Sequence, residues 1–568
     1  MKVCSKARRP ARGVALLTIG LGAASLALAG LAFADSALAG QTLISSHGEM
    51  YPRAVLIAHN ANSTRNGDIV VSATSFDTIA GSGGSGHEDL FISHDQGVSF
   101  APLGSVTDSA FGAGLCCGGL FELPKAIGAL PAGTLLWAGS VGGDTPTAPM
   151  QIRIYSSTDE GATWTYLSNC ATATVPRSTG GLWEPGFATA GDGRLMCYYT
   201  DETRPGHSQI LTEVATSDGV TWTPTGDLAI STTAVDRPGM ASVIALPSGT
   251  YAASYEICGP LNCATYFKTS ADGINWGAAG TLGTPVALSN GTTFWHTPTL
   301  VWSPVPGQTR GQLLLQGQIL TLNGVVQAGN GATLFYNSAG DGTGGWQSFA
   351  SPTNVSMPSG TAGNACQNYS SPLLPLGNGR TTLSLASDYV GSACETWFNV
   401  APLSGVGLSG GNVSLSGGSQ TGGDFTVTAL GSLGDTFNLS VSATGAPATF
   451  SLSQSQVMLN ADGTASVHVG VAPTTLASAQ SHKKSPFGGG AALAFAGLGL
   501  GLAMRRKPVV GALAATAVVL TGCGGGSSGG GSAATTPQVT SYTATLHAAS
   551  VSDPTITADQ TFTISISS

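Results

Sequence analysis

The stretch SSTDEGATW, Ser156–Trp164, sets a hydroxyl residue, an Asp, a Gly and an aromatic in a fixed order within nine positions. Each has a place in a tight turn. The carboxylate caps backbone N–H groups, the Gly takes positive φ, and the aromatic packs against a sheet. The same order recurs in SHDQGVSF (Ser93–Phe100), ATSDGVTW (Ala215–Trp222) and TSADGINW (Thr269–Trp276), with a worn copy in YNSAGDGTGGW (Tyr336–Trp346). Asp95, Asp159, Asp218 and Asp272 stand 64, 59 and 54 residues apart. With strand-rich sequence between copies, a period of this size predicts the four-stranded blades of a β-propeller, about six of them between Ser45 and Leu403.

Composition agrees with an all-β class. Of 568 residues 81 are Gly and only 9% are charged, which suits short strands and tight turns rather than long charged helices. The net charge of −9, with no basic block in the folded region, excludes the electrostatic footprint of a nucleic-acid binder. The repeated turns resemble the Asp-box, or BNR repeat, of sialidase-like β-propellers. Turn-making accounts for every residue in them, so they announce a fold and not a chemistry.

The N-terminus has a basic leader, an apolar run from Val14 and small-residue sites at Ala32-Phe33-Ala34 and Ala37-Leu38-Ala39, and residues 1–39 read as a secretory signal. The protein is thus expected to be exported, extracellular or associated with the cell envelope, where disulfides persist. Cys258 with Cys263, and Cys366 with Cys394, are candidate bridges, and the adjacent Cys116 and Cys117 have no partner assignable from spacing. After Leu403 the composition shifts to Gly, Ser and Thr. Period-two alternation at Phe425, Val427, Phe437, Leu439, Val441, Val467, Val469 and Val471 predicts a small immunoglobulin-like β-sandwich over 404–475. A hydrophobic hairpin follows, Phe487–Met504 and Val509–Cys523 around Arg505, Arg506 and Lys507, as a membrane anchor, and "LTGC" resembles a lipobox with Cys523 as acceptor. The tail, 533–568, alternates at Phe562, Ile564 and Ile566, and two strands alone are marginal, so it is expected to complete the sandwich begun at Ser404.

Two glutamates carry the chemistry. Glu184 lies in GGLWEPGFATAGDGRLMCYYTDE and Glu256 in AASYEICGP, 72 residues further on, both flanked by aromatics in strand-like sequence. Glycosidic bond cleavage uses two carboxyl groups about one anomeric carbon. The inner strands of neighbouring blades would bring both to the axis, with Trp183 and Tyr255 desolvating them and raising the pKa of at least one. The structural alternative for each is a buried acid satisfied by backbone amides.

The motifs YPRAVLI at Tyr51, LWEPGF at Leu182, YYTDE at Tyr198, HSQ at His207, RPGM at Arg237 and SYEICG at Ser254 together resemble glycoside hydrolase family 93, the exo-α-1,5-L-arabinanases. The resemblance implies that Glu184 is the acid/base and Glu256 the nucleophile of a retaining mechanism releasing arabinobiose from linear arabinan. Arg53, Trp183, Asp201, His207, Arg237, Tyr255 and Tyr369 are candidate substrate contacts. Asp201 and Glu202 also read as a solvated turn pair, Arg53 and Arg237 as ties between blades, and Tyr369 as core. His87, Glu88 and Asp89 read as a polar loop before a strand. Both half-reactions use carboxylates and water, so no cofactor or metal is expected, and the partner is an oligo- or polysaccharide met by a monomer. A sialidase reading would recruit Arg53, Arg237, Arg380 and Tyr369 but leaves the WEP segment unexplained, and a third reading is a non-catalytic carbohydrate-binding propeller.

Overall fold

The computed structural model describes residues 40–567 except 46, 77–85, 306–308, 356–363, 416–420, 431–433, 461–462, 475–538, 553 and 555. The signal segment, the apolar hairpin with Cys523, and residues 533–538 of the tail lie outside the described residues. Among those described there is no α-helix, and no helix is long and apolar enough to cross a membrane.

Six antiparallel sheets follow one another along residues 42–402. The first comprises Glu49–Leu56, Ile69–Ser75, His87–Ser93 and Ala101–Val106, and the second Leu115–Glu122, Leu135–Val141, Gln151–Ser157 and Thr165–Thr172. Leu182–Thr189, Leu195–Asp201, Ile210–Thr216 and Thr223–Ala229 make the third. The fourth, Arg237–Ala245, Tyr251–Cys258 and Ala264–Ser270, is widened by Thr284–Pro285 and by Thr293–Trp295, Ile319–Leu322 and Val325–Val326. Thr299–Ser303, Gln312–Gln316, Thr333–Asn337 and Gln347–Ala350 form the fifth. The sixth, Leu373–Leu376, Thr381–Val390 and Ala393–Pro402, takes its outer strand from the other end of the chain, Thr42–Leu43 pairing Trp397 and Phe398. The first strand of each sheet touches the first strand of the next, and that of the sixth touches that of the first. A closed ring of meanders is a β-propeller.

Hydrophobic cores lie between consecutive sheets. Trp137, Phe111 and Leu90 fill the gap between the first two sheets, Leu136, Ile152 and Val214 the next, and Tyr198, Tyr255 and Trp276 the one after. Leu383, Phe398 and Val71 join the last sheet to the first. Each fully buried large side chain contributes roughly 1.5–3 kcal/mol.

The Asp-box turns join third to fourth strands. Asp95 Oδ1 accepts from Ser99 N (2.9 Å) and Ser93 Oγ (2.8 Å), and Asp159 repeats this with Thr163 N and Ser157 Oγ. Asp218 and Asp272 each accept two backbone amides two and three residues on. In the worn copy Asn337 takes over, accepting from Gly340 N and Gly342 N. The box aromatics fall into the cores between sheets, Trp276 among them and Phe100 edge-on to Phe398 at 4.8 Å.

His87, Glu88 and Asp89 are not a loop. They open the strand His87–Ser93 and pair with Ser75, Thr74 and Ala73, with Glu88 fully buried. Burial pushes Glu88 up to about 7 despite the Thr74 hydroxyl at 2.7 Å.

Beyond the ring are two further sheets. Gly405–Gly410, Thr421–Leu430, Thr464–Pro473 and Ala448–Leu452 form one, and Val413–Leu415, Thr557–Ser567, Val539–Ser550, Asp435–Ala443 and Gln456–Leu459 the other. The tail therefore ladders with the earlier segment. Ser550 to Ala544 pair antiparallel with Phe437 to Ala443, and Ile564 to Ile566 run parallel to Val413 to Leu415. Phe425, Val469, Leu546, Phe562 and Ile564 share one buried cluster.

Candidate active site

The site is built by a kink repeated around the ring. In the first strands of the first four sheets the register slips after Met50, Cys116, Trp183 and Gly239, and the next residue, Tyr51, Cys117, Glu184 or Met240, has φ between 59° and 65°. In the last two sheets Thr297 and Ser370 take positive φ just before the strand. A non-Gly residue there costs about 1 kcal/mol, and the bulge re-aims side chains. Consecutive residues Trp183 and Glu184 can therefore face the same pocket.

That pocket is small, about 50 Å³, and is lined by Cys117, Trp183, Glu184, Glu202, Gln209, Arg237, Glu256, Cys258 and Tyr369. Glu184 Oε2 accepts from Thr200 Oγ1 (2.9 Å) and from Met240 N (3.1 Å), while its own N–H donates to Ser140 Oγ (3.1 Å). Burial, and then the charge of Glu256, push the Glu184 carboxyl up to about 8. Glu256, 7% exposed, takes Thr297 N on Oε2 at 2.8 Å, with His296 Nδ1 3.5 Å away. Gly239 lies between them. It pairs with Glu256 across the ladder, and a Cβ on it would sit 2.6 Å from Gln209 Nε2 and 3.6 Å from Glu184 Oε2. Tyr51, 4% exposed, is within the field of both carboxyls, and burial raises its hydroxyl to about 12.

One wall is a charge network around Glu202. Its Oε2 accepts from Trp183 Nε1 (3.0 Å) and Gly181 N (3.1 Å), and its Oε1 meets Arg237, which also reaches Gln209. Arg177 lies 4.7 Å over the Trp183 ring. Burial opposes ionisation of Glu202, but the Trp183 and Arg237 donors and the charge of Arg177 outweigh it and hold the carboxyl below its ordinary value. A second, larger cavity of about 490 Å³ runs along the ring axis and shares Glu184, but its walls are largely apolar, including Phe121, Phe187, Ile244 and Leu374.

Of the residues expected at the site, Glu184, Glu256, Trp183, Arg237 and Tyr369 converge on the pocket. Arg53 lies alongside, lining the axial cavity, donating to Ser370 and 4.0 Å over the Tyr51 ring. Tyr255 does not belong there. It alternates with Glu256 along one strand, so it faces the opposite way into the core, donating to Leu282 O and stacking on Tyr266. Asp201 caps the turn at Thr203 (2.7 Å), and its neighbour Glu202 reaches the pocket instead. His207 is not among the pocket's walls, whereas Gln209, two residues on in the same motif, is. Arg380 sits exposed on the hairpin between the first two strands of the sixth sheet, so Arg53, Arg237 and Arg380 are not gathered at one point.

The bridges Cys258–Cys263 and Cys366–Cys394 are present, together with Cys170–Cys197 and the adjacent pair Cys116–Cys117. Cys117 and Cys258 line the pocket. Sequence reasoning left Gln209, Arg177, His296 and Cys117 unassigned, and Glu202 read as solvated. The signal for Gln209 and Glu202 was their place in the HSQ and YYTDE motifs. Nothing in the sequence marks His296 or Arg177.

A ring of sheets with a buried carboxyl pair at its centre defines a sialidase-like β-propeller close in fold to glycoside hydrolase family 93. Among solved structures, the chain is similar to the Penicillium chrysogenum α-L-arabinanase complexed with arabinobiose, at 25% identity over 64% of this chain and 97% of that one, TM-score 0.53. It is also similar to the GH93 α-L-arabinofuranosidase of Fusarium graminearum with arabinobiose, at 22% identity over the same shares, TM-score 0.51. A scan against protein-family models and a search of curated proteins found no match.

Proposed function

We propose that the protein is an exported, retaining exo-glycoside hydrolase acting on α-1,5-L-arabinan or a similar neutral glycan. One observation carries the reading. Two glutamates from neighbouring sheets meet in one pocket, where burial and the charge of the second push the first up to about 8, in the direction a general acid requires. Likeness to structures that hold arabinobiose supports the substrate class.

In this reading Trp183, Arg237 and Gln209 hold the sugar whose bond is cleaved. Glu184 protonates the leaving oxygen, and the Glu256 carboxylate attacks the anomeric carbon to form a glycosyl-enzyme. Glu184, now a carboxylate, then takes a proton from water, which releases the sugar with its configuration retained. The Thr200 hydroxyl and Met240 N–H hold Glu184 in place through both half-reactions. The six sheets are the blades of a six-bladed propeller, and the two sheets beyond them an immunoglobulin-like module. The protein is expected to act as a monomer outside the cell, with the apolar segment 487–523 as its membrane anchor.

Incubation with linear arabinan tests the activity. The expected product is arabinobiose cut from the non-reducing end, read as new reducing sugar, with no turnover of a fluorogenic sialoside. Sialoside cleavage, or binding of arabinan without cleavage, would overturn the reading.

A further inference from the structure

Four donor groups meet beside Glu256. The Glu256 carboxylate, Cys258 Sγ, Cys263 Sγ and His296 Nδ1 all lie within 4.8 Å of one another, and all four residues are buried. Cys258 Sγ is 3.2 Å from Glu256 Oε1, and His296 Nδ1 is 3.5 Å from Oε2. Two sulfurs, an imidazole nitrogen and a carboxylate oxygen at this spacing are the donor set of a tetrahedral zinc site. What keeps them from serving as one is the Cys258–Cys263 bond, which leaves no thiolate.

The donors are positioned by backbone and not by that bond. Glu256 pairs with Thr265 and Ile257 with Ala264 in one ladder, Ala264 pairs with Trp295, and His296 N donates to Cys263 O at 2.9 Å. Asn262, Cys263, His296 and Thr297 all hold positive φ, a backbone that the surrounding structure must over-determine. Backbone bonds other than the disulfide therefore tie the three chain segments together.

We propose that reduction of Cys258–Cys263 converts this corner of the pocket into a binding site for a thiophilic divalent cation of the zinc class, formed by Glu256, Cys258, Cys263 and His296, and that the bound cation switches the enzyme off. A dithiol reductant supplies two electrons and two protons, breaking the S–S bond to two thiols and becoming a cyclic disulfide itself. The cation then displaces both thiol protons and binds two thiolates, the His296 Nδ1 lone pair and one Glu256 oxygen. With its carboxylate committed to the metal, Glu256 no longer reaches an anomeric carbon. Reoxidation removes both thiolates and leaves two donors, too few for tight binding. The oxidised enzyme is thus the active form. Loss of turnover rests on the catalytic reading of Glu256, but uptake of metal does not.

The experiment treats the full chain with dithiothreitol, removes the reductant anaerobically, and titrates with cobalt(II), whose thiolate charge-transfer and visible bands report sulfur ligation. One equivalent is expected to bind to reduced protein and none to oxidised protein. Cys258→Ser/Cys263→Ser should abolish the bands and Cys116→Ser/Cys117→Ser should keep them. In the wild-type chain, zinc should protect Cys258 and Cys263, but not Cys366 and Cys394, from alkylation read by mass spectrometry. Equal bands in the Cys258→Ser/Cys263→Ser chain, or alkylation unchanged by zinc, would overturn the site. Stoichiometric zinc should lower turnover of the reduced enzyme at least 100-fold, reversibly with chelator. Full turnover with cobalt or zinc demonstrably on those cysteines would overturn the switch.

Discussion

Asp95 and Glu184, at the two ends of this propeller, live in opposite conditions. At the Asp-box end, Asp95 is exposed and held down to about 2, first by the Ser99 hydroxyl and amide, and Asp159, Asp218 and Asp272 are likewise lowered. At the other end, where second strands finish and third strands begin, Glu184 is enclosed and raised to about 8. A carboxylate whose lone pairs are all taken by a turn stabilises its charge and stays fixed. One removed from water beside a like charge has a proton to give. Burial raises Glu88 and Glu213 as well, so what sets Glu184 apart is that it meets Glu256 in one pocket.

The largest effect expected from breaking this contrast is at Glu256. Glu256→Gln should lower kcat about 10⁴-fold with unchanged circular dichroism, since the attacking oxygen is gone and the shape is kept. Glu184→Gln should cost about 10²–10⁴-fold on arabinan but far less on an arabinoside with an activated leaving group, and azide should restore turnover. Normal activity in either variant would contradict the assignment. Gly239→Ala should cost about 10–100-fold by displacing Gln209 and crowding Glu184, with little loss of stability.

Stability offers a smaller test of opposite sign at the two ends. Glu184 is raised on folding, so the native state holds a proton the unfolded chain releases between pH 4.5 and about 8, and stability falls as pH rises through that window. Glu184→Gln should therefore raise stability above pH 5, by about 1–2 kcal/mol at pH 7 after allowing for water at the pocket mouth, seen as a higher Tm. Asp95 is depressed, so its contribution is present above pH 3.8 and is lost as pH falls toward 2. Asp159→Ala should cost about 1 kcal/mol of stability, seen as a lower Tm, and leave kcat/KM unchanged. Loss of activity there without loss of fold would erase the distinction.

The sequence is most readable where a residue's role is local. An Asp-box turn is complete within nine residues, so Ser157, Asp159, Gly161 and Trp164 disclose it unaided, and their period discloses the ring. The glutamate pair was also visible, as two aromatic–Glu dipeptides. Those dipeptides differ in a way that no local pattern shows. Trp183 and Glu184 share a bulge and face one pocket, while Tyr255 and Glu256 follow regular alternation and part to opposite faces. Parity was equally hidden at Asp201 and Glu202, where the strand's end decides which acid caps the turn. His296 reaches Glu256 only because the fourth sheet is widened by Thr293–Trp295, an insertion between repeats that the Asp-box period cannot register. The tail was legible for a different reason, since its alternating apolar residues had nowhere else to go.

The central claim is that Glu256 attacks and Glu184 protonates. A 2-deoxy-2-fluoro arabinofuranosyl inactivator with an activated leaving group, followed by peptide mapping, addresses it directly. The account predicts one label per chain on Glu256, in the strand Tyr251–Cys258, with inactivation still occurring in Glu184→Gln. A label on Glu184 or on a tyrosine, or inversion of the anomeric centre with no covalent intermediate, would contradict it.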